Sequence, residues 1–310
     1  MAVKGKQREA ADYSKKVGFD ELNVIAFNPT KTELEDLLNI SDMKEPSYLG
    51  TYQNSATGKE FPKVAISIWL QGKESKALFN VRYNIINEVR KNKDGSKMQF
   101  INAVGNTAWA ADENELKSLS TEANTKEGSR KFYKEFISRD YRPALSGEEK
   151  LYDFLQKFTN MDTRALDTEL SLDTKRLFKG NFSELQELLE SEFKDNTLCG
   201  CATVRAVKPT PTTEDPNPGF KEYQGMFDEF LPGGYIRYFQ EGVKNRPDYV
   251  NKFIASMEGE HGCKDFYIIG PIRDYVAGEH PAMSGEGAQQ ATASTTQPVT
   301  AGEVIDDLPF

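Results

Sequence analysis

Histidine and cysteine are scarce in this chain of 310 residues, with two of the first and three of the second. So few histidines leave general acid and base chemistry to carboxylates, whose pairing a sequence does not display. An odd number of cysteines builds no disulfide framework, and reduced thiols are expected. No Walker loop, G-x-G-x-x-G fingerprint or H-E-x-x-H helix occurs, which removes the usual phosphate-cradling, dinucleotide and zinc-protease signatures. No apolar run reaches the ~18 residues of a membrane span. The leading MAVKGKQREAADYSKK carries charge without the apolar stretch of a secretory signal. A cytoplasmic location, away from membranes, is expected.

What is present is an ordinary soluble composition, 38% hydrophobic and 28% charged, in a length that suits two domains or one elaborated domain. The net charge of -9 argues against a uniformly basic nucleic-acid coat. That charge is unevenly spread. Four of the 48 acids, Glu286, Glu303, Asp306 and Asp307, fall in residues 281–310, which hold no Lys or Arg; the rest of the chain sets 39 basic residues against 44 acidic ones. Local distribution therefore decides the partner.

The chain divides into a flexible polar arm (1–20), a body (21–280) and a tail (281–310), with structure starting near Glu21. Within the body, 21–112 is strand-rich. LNVIAF reads as a strand, and Thr30 with Glu33 is a capping box opening a short helix on Leu34, Leu37 and Leu38. SYLGTYQ, FPKVAISIWLQ, KALFNVRYNIINEVRK and KMQFINAVGNTAW follow as strands, with Asp94-Gly95 a hairpin signal. Residues 113–193 are mostly helical, as EEKLYDFLQKF and FSELQELLESEF show by their three- and four-residue apolar spacing. Strands return over 194–280 in TLCGCATVRAVK, FKEYQGMFDEFL, GGYIRYFQ and KDFYIIGPI, with a helix at PDYVNKFIASMEGE and a Pro-rich loop at PTPTTEDPNPG. The expected fold is α+β: an OB-like β-barrel core with a helical insertion and a disordered acidic C-terminal tail.

Alternation in KVAISIW puts Val64, Ile66 and Ile68 on one side and Lys63, Ala65, Ser67 and Trp69 on the other. In LFNVRYNII, Phe79, Val81, Tyr83 and Ile85 form one row while Asn80, Arg82 and Asn84 point the opposite way. The hairpin beyond supplies Arg90, Lys91, Lys93 and Lys97. Cations that replace phosphate counterions, beside aromatic faces on which bases stack, are what single-stranded nucleic acid requires. The candidate binding set is therefore Lys63, Trp69, Asn80, Arg82, Arg90, Lys91, Lys93 and Lys97. The competing reading has Trp69 filling a gap under the helical region and the lysines forming a solvated hairpin. Tyr83, Phe100 and Trp109 are expected in the core. Tyr235, Arg237 and Phe239 form a mixed row that is either a second contact surface or barrel packing.

Cys199 and Cys201, with His261 and Cys263, invite a zinc reading. Structural zinc knuckles space their cysteines by two to four residues, and single-residue spacing fits small apolar side chains on a strand equally well. No bound metal and no cofactor are expected.

The ending IDDLPF resembles the acidic, Pro-Phe-terminated tip of bacterial single-stranded DNA-binding proteins, and the body, linker and tip layout resembles phage versions of that family. The body, in NPTKTELEDLL and EPSYLG, is similar to replication-associated proteins of large tailed phages, including the crAss-like group. The resemblance implies a non-catalytic protein that coats single-stranded DNA in replication, recombination and repair, in the host cytoplasm if phage-encoded. Partner proteins would dock on Asp306, Asp307, Leu308, Pro309 and Phe310, the terminal ring filling a pocket while its carboxylate meets a basic rim. Two other classes remain open: a zinc-dependent nucleic-acid enzyme, and a non-DNA adaptor or virion protein with a docking tail.

Overall fold

The structure, a computed structural model, describes residues 14–102, 107–123, 141–159, 174–191, 195–240, 246–259 and 270–280. It is a mixed α+β fold built on a mostly antiparallel sheet. Five longer strands dominate it: β1 (Lys16–Phe27), β3 (Glu60–Gly72), β4 (Leu78–Val89), β9 (Thr197–Val207) and β10 (Lys221–Met226). Across the sheet they run β10-β9-β1-β3-β4. Short strands decorate this path. β2 (Leu49–Gln53) pairs with β3, β8 (Leu145–Ser146) with β4, β11 (Leu231–Pro232) with β9 and β12 (Arg273–Asp274) with β1. A separate three-stranded sheet has β5 (Met98–Asn102) between β6 (Thr107–Ala110) and β7 (Tyr141–Pro143).

Period-two alternation decides the two faces. Ile66 faces Tyr83, Ile68 faces Val81 and Leu70 faces Phe79 across β3 and β4, and all six side chains are buried. The same face continues through Leu22 and Val24 of β1 and Leu198 of β9. Helices of the insertion cover it. α2 (Glu113–Ala123) precedes β7; α3 (Glu148–Thr159) lays Leu151, Phe154, Leu155 and Phe158 on this core, joined by Leu177 of α4 (Thr174–Leu177) and Leu185 of α5 (Ser183–Ser191). Each such buried side chain contributes about 1.5–3 kcal/mol of burial free energy, which is what binds the insertion to the sheet.

The opposite face is covered only in part. Phe19 of β1 and Cys199 and Cys201 of β9 pack there against a 3-10 turn (Gly233–Ile236), α6 (Arg237–Gln240) and α7 (Asp248–Gly259), through Ile236, Phe239, Val250 and Phe253. Phe19 and Phe239 stack with ring centroids 3.6 Å apart.

The capping box stands as read: Thr30 opens α1 (Lys31–Leu38), and Leu34 and Leu37 are buried. Three expectations change. β1 begins at Lys16 rather than near Glu21, and Val17, Phe19 and Asp20 are buried. Two of its three charges, Lys16 and Asp20, are buried with partners that no local pattern reveals: the Lys16 ammonium meets Asp274 at 2.5 Å, and Asp20 accepts from Ser75 N and Oγ in the β3–β4 turn. GGYIRYFQ is a 3-10 turn and short helix instead of a strand, because Ile236 and Phe239, three residues apart, both turn onto the Phe19 core. The barrel expected from strand spacing is not closed: among the described residues no ladder joins β10 to β4. Among those residues no helix is long and apolar enough to cross a membrane.

Candidate nucleic-acid interface

The outer side of β3 and β4 belongs to the same second face; it is open at Asn80 and Arg82, while Ala65 and Ser67 of β3 are buried. Trp69 stands opposite Asn80, Ser67 opposite Arg82, Ala65 opposite Asn84 and Lys63 opposite Ile86. Asn80 and Arg82 are exposed, and Lys63 and Trp69 half-buried. Lys63 and Trp69 are six residues apart, which at about 3.3 Å per residue makes a track about 20 Å long. The polar side chains on it are fixed from below. Asn80 Nδ2 donates to Ser67 Oγ at 2.8 Å and to Ile68 O at 3.3 Å, while Arg82 Nη2 reaches Ser47 O at 3.4 Å.

β3 holds this track through an edge shared by three partners. β1 pairs with it from Ile68 to Gly72, and β2 from Glu60 to Val64. Between them Asn28, at φ 39, takes the place of a strand. Its N–H donates to Ser67 O at 2.8 Å, its Oδ1 accepts from Ser67 N at 2.6 Å and its Nδ2 donates to Ala65 O at 3.3 Å. Asparagine tolerates the left-handed backbone that this position needs.

The hairpin beyond β4 divides the remaining predicted cations. Arg90 forms an ion pair with Glu149 of α3, and its guanidinium lies 5.7 Å from the centroid of the Trp109 ring, so it braces the small sheet against the helical layer. Burial lowers its pKa from the ordinary arginine value. Lys97 meets Glu115 of α2 at 3.2 Å. Lys91 and Lys93 are exposed and Lys63 is half-buried, and among the described residues none of the three is in an ion pair. The structure thus groups Lys63, Trp69, Asn80 and Arg82 on one face, sets Lys91 and Lys93 on the hairpin, and gives Arg90 and Lys97 carboxylate partners. Tyr83 and Phe100 are buried as expected, whereas Trp109 is half-buried under Arg90.

Sequence reasoning passed over one aromatic and basic pair. Tyr223 of β10 is 41% exposed and faces Arg205 of β9, also exposed. FKEYQGMF alternates too weakly to show which side of β10 faces solvent.

Cys199 and Cys201 share one side of β9 and are buried in the Phe19 core. Burial pushes the Cys199 thiol well above its ordinary pKa. Among the described residues no three His, Cys, Asp or Glu gather as a metal site. His261 and Cys263 lie outside the described residues, as do the docking residues Asp306, Asp307, Leu308, Pro309 and Phe310.

No family model matches this chain, and neither a curated protein nor a solved structure matches it.

Proposed function

We propose that this protein is a non-catalytic single-stranded DNA-binding protein, phage-type in its layout, that coats DNA along the outer face of β3 and β4. The observation carrying this reading is the grouping of exposed Arg82 with half-buried Lys63 and Trp69, cations and an indole on one face of the sheet. Cations there replace phosphate counterions, and the ring offers a face to any base. The strand order supports an OB-like core. In chain order the five longer strands lie fifth, fourth, first, second, third across the sheet, with the helical insertion between the third and fourth. β10 and β4, at the two ends, approach within 8 Å between Cα atoms, and Tyr83 Oη donates to Asp228 O at 3.4 Å beside them. A partly open five-stranded barrel has this character, and such barrels bind oligonucleotides on their second and third strands. Here those strands are β3 and β4.

In this reading residues 281–310 carry the acidic tip to replication, recombination and repair proteins, and its acids compete with phosphates for the cationic row. Titration of intrinsic tryptophan fluorescence with single-stranded and duplex DNA at two salt concentrations tests the proposal. Single strands bind far more tightly, and affinity falls with salt by a log-log slope of about -0.7 per phosphate contact. A chain ending at Met283 binds more tightly than the full chain at low salt. Equal affinity for duplex, or affinity indifferent to salt, overturns the reading.

A further inference from the structure

We infer that Tyr235, Tyr238 and Tyr249, with Arg237, form a second base-stacking platform that takes the continuation of a DNA strand lying on β3 and β4; this rests on the function proposed above. The cluster sits on the layer formed by the 3-10 turn, α6 and α7. Tyr235 stacks on Tyr238 at 5.9 Å between centroids and meets Tyr249 edge-on at 5.0 Å. The Arg237 guanidinium lies 5.0 Å from the Tyr238 ring centroid. Tyr249 is 43% exposed and Arg237 is exposed.

Packing accounts for part of these rings: Tyr235 and Tyr238 are half-buried against the cluster of Phe19, Ile236, Phe239, Val250 and Phe253, whereas Tyr249 stands outside that cluster with its ring open to solvent. Arg237 and Lys252 are exposed on this layer beside the exposed acid Asp248, so cations stand next to the rings. Arg246 stiffens the layer from beneath, donating through Nε to Tyr238 O at 3.2 Å.

Position selects the occupant. The layer covers the same side of the sheet that presents Trp69 and Arg82, and Gln240 Nε2 donates to Glu74 Oε1 at 2.9 Å, tying α6 to the β3–β4 turn. Leu22 pairs with Gly72, three residues past Trp69, and Phe19 lies three residues past Leu22. Phe19 therefore lies about 20 Å beyond Trp69 along the strand direction, with Tyr235 and Tyr238 packed against its cluster. A strand leaving the indole crosses the turn and meets the tyrosines within a single-domain site of roughly 4–16 nucleotides.

The test measures affinity of the full chain for oligothymidylates of about 5 and about 16 nucleotides, in the parent, Tyr249→Ala, Arg237→Ala and Tyr249→Phe. Tyr249→Ala and Arg237→Ala weaken binding of the long oligonucleotide by about fivefold or more, leave the short one unchanged and leave the circular dichroism unchanged; Tyr249→Phe keeps parental affinity for both. Unchanged affinity of both alanine variants for the long oligonucleotide, or equal loss for both lengths, overturns the platform while leaving the β3–β4 reading intact. Failure of the parent to bind either length overturns both.

Discussion

Trp69 lies directly across the β3–β4 ladder from Asn80, whose amide is held by Ser67 Oγ and Ile68 O. The half-buried indole therefore borders a polar group that is already engaged. Trp69→Ala removes the stacking face and reduces affinity for single-stranded DNA by about 1–3 kcal/mol. The melting temperature should stay near the parental value. A large fall in melting temperature with binding intact would assign the ring to packing.

Arg82 and Arg90 separate binding from bracing. Arg82→Ala lowers affinity and reduces the salt slope by about 0.7, with stability unchanged. Arg90→Ala breaks the pair with Glu149 and the contact with Trp109. It costs about 0.5–1 kcal/mol of stability, since the pair is partly solvated, and leaves the salt slope unaltered. Chemical denaturation and salt titration of both variants read the difference.

Asn28 serves as a one-residue strand, so its replacement opens the middle of the β3 edge. Asn28→Ala leaves Ser67 N and Ala65 O without their partners and puts alanine at a positive φ. A loss of about 1–3 kcal/mol is expected. Urea unfolding measures it, and Asn28→Asp, which keeps the acceptor for Ser67 N but sets a buried carboxylate oxygen against Ala65 O, is destabilised as well.

The Ala111 N–H, and after it the Lys97 ammonium, hold the Glu115 carboxyl below its ordinary range. A carboxylate whose pKa is depressed by folding stabilises the native state at pH values above its unfolded pKa. That contribution fades as pH falls through the lower folded value. Melting temperature measured down the acid limb should fall less steeply in Glu115→Gln than in the parent. Near neutrality the same substitution frees Lys97 and steepens the salt dependence of DNA binding.

Burial raises the Cys199 thiol and so removes the nucleophilic thiolate. In Cys263→Ser, the remaining Cys199 and Cys201 should react with a thiol reagent only after denaturation. Rapid reaction of either in the folded protein would contradict their place in the Phe19 core.

Strand phase was legible because β3 and β4 alternate cleanly: Ile66, Ile68, Val81 and Tyr83 went inward, Trp69 and Arg82 outward. The α3 stripe was legible for the same reason at helical spacing. What escaped depended on distant partners. Lys16 and Asp20 look like solvent residues until Asp274 and Ser75 are brought to them. YIRYF has enough β-branched and aromatic character for a strand, and only the Phe19 ring waiting across the sheet selects a helical turn. Likewise Arg90 and Lys97 read as free cations, because Glu149 and Glu115 come from helices far along the chain.

The divided edge of β3 has a kinetic consequence. With β4 along one side and β1, Asn28 and β2 along the other, its amides near Ser67 are released only when several neighbours let go together. Such amides exchange with solvent at the pace of whole-molecule unfolding. The strand bearing Lys63 and Trp69 is thus already immobile, so in the proposed DNA-binding role the ordering entropy of association would fall on the nucleic acid rather than on the protein.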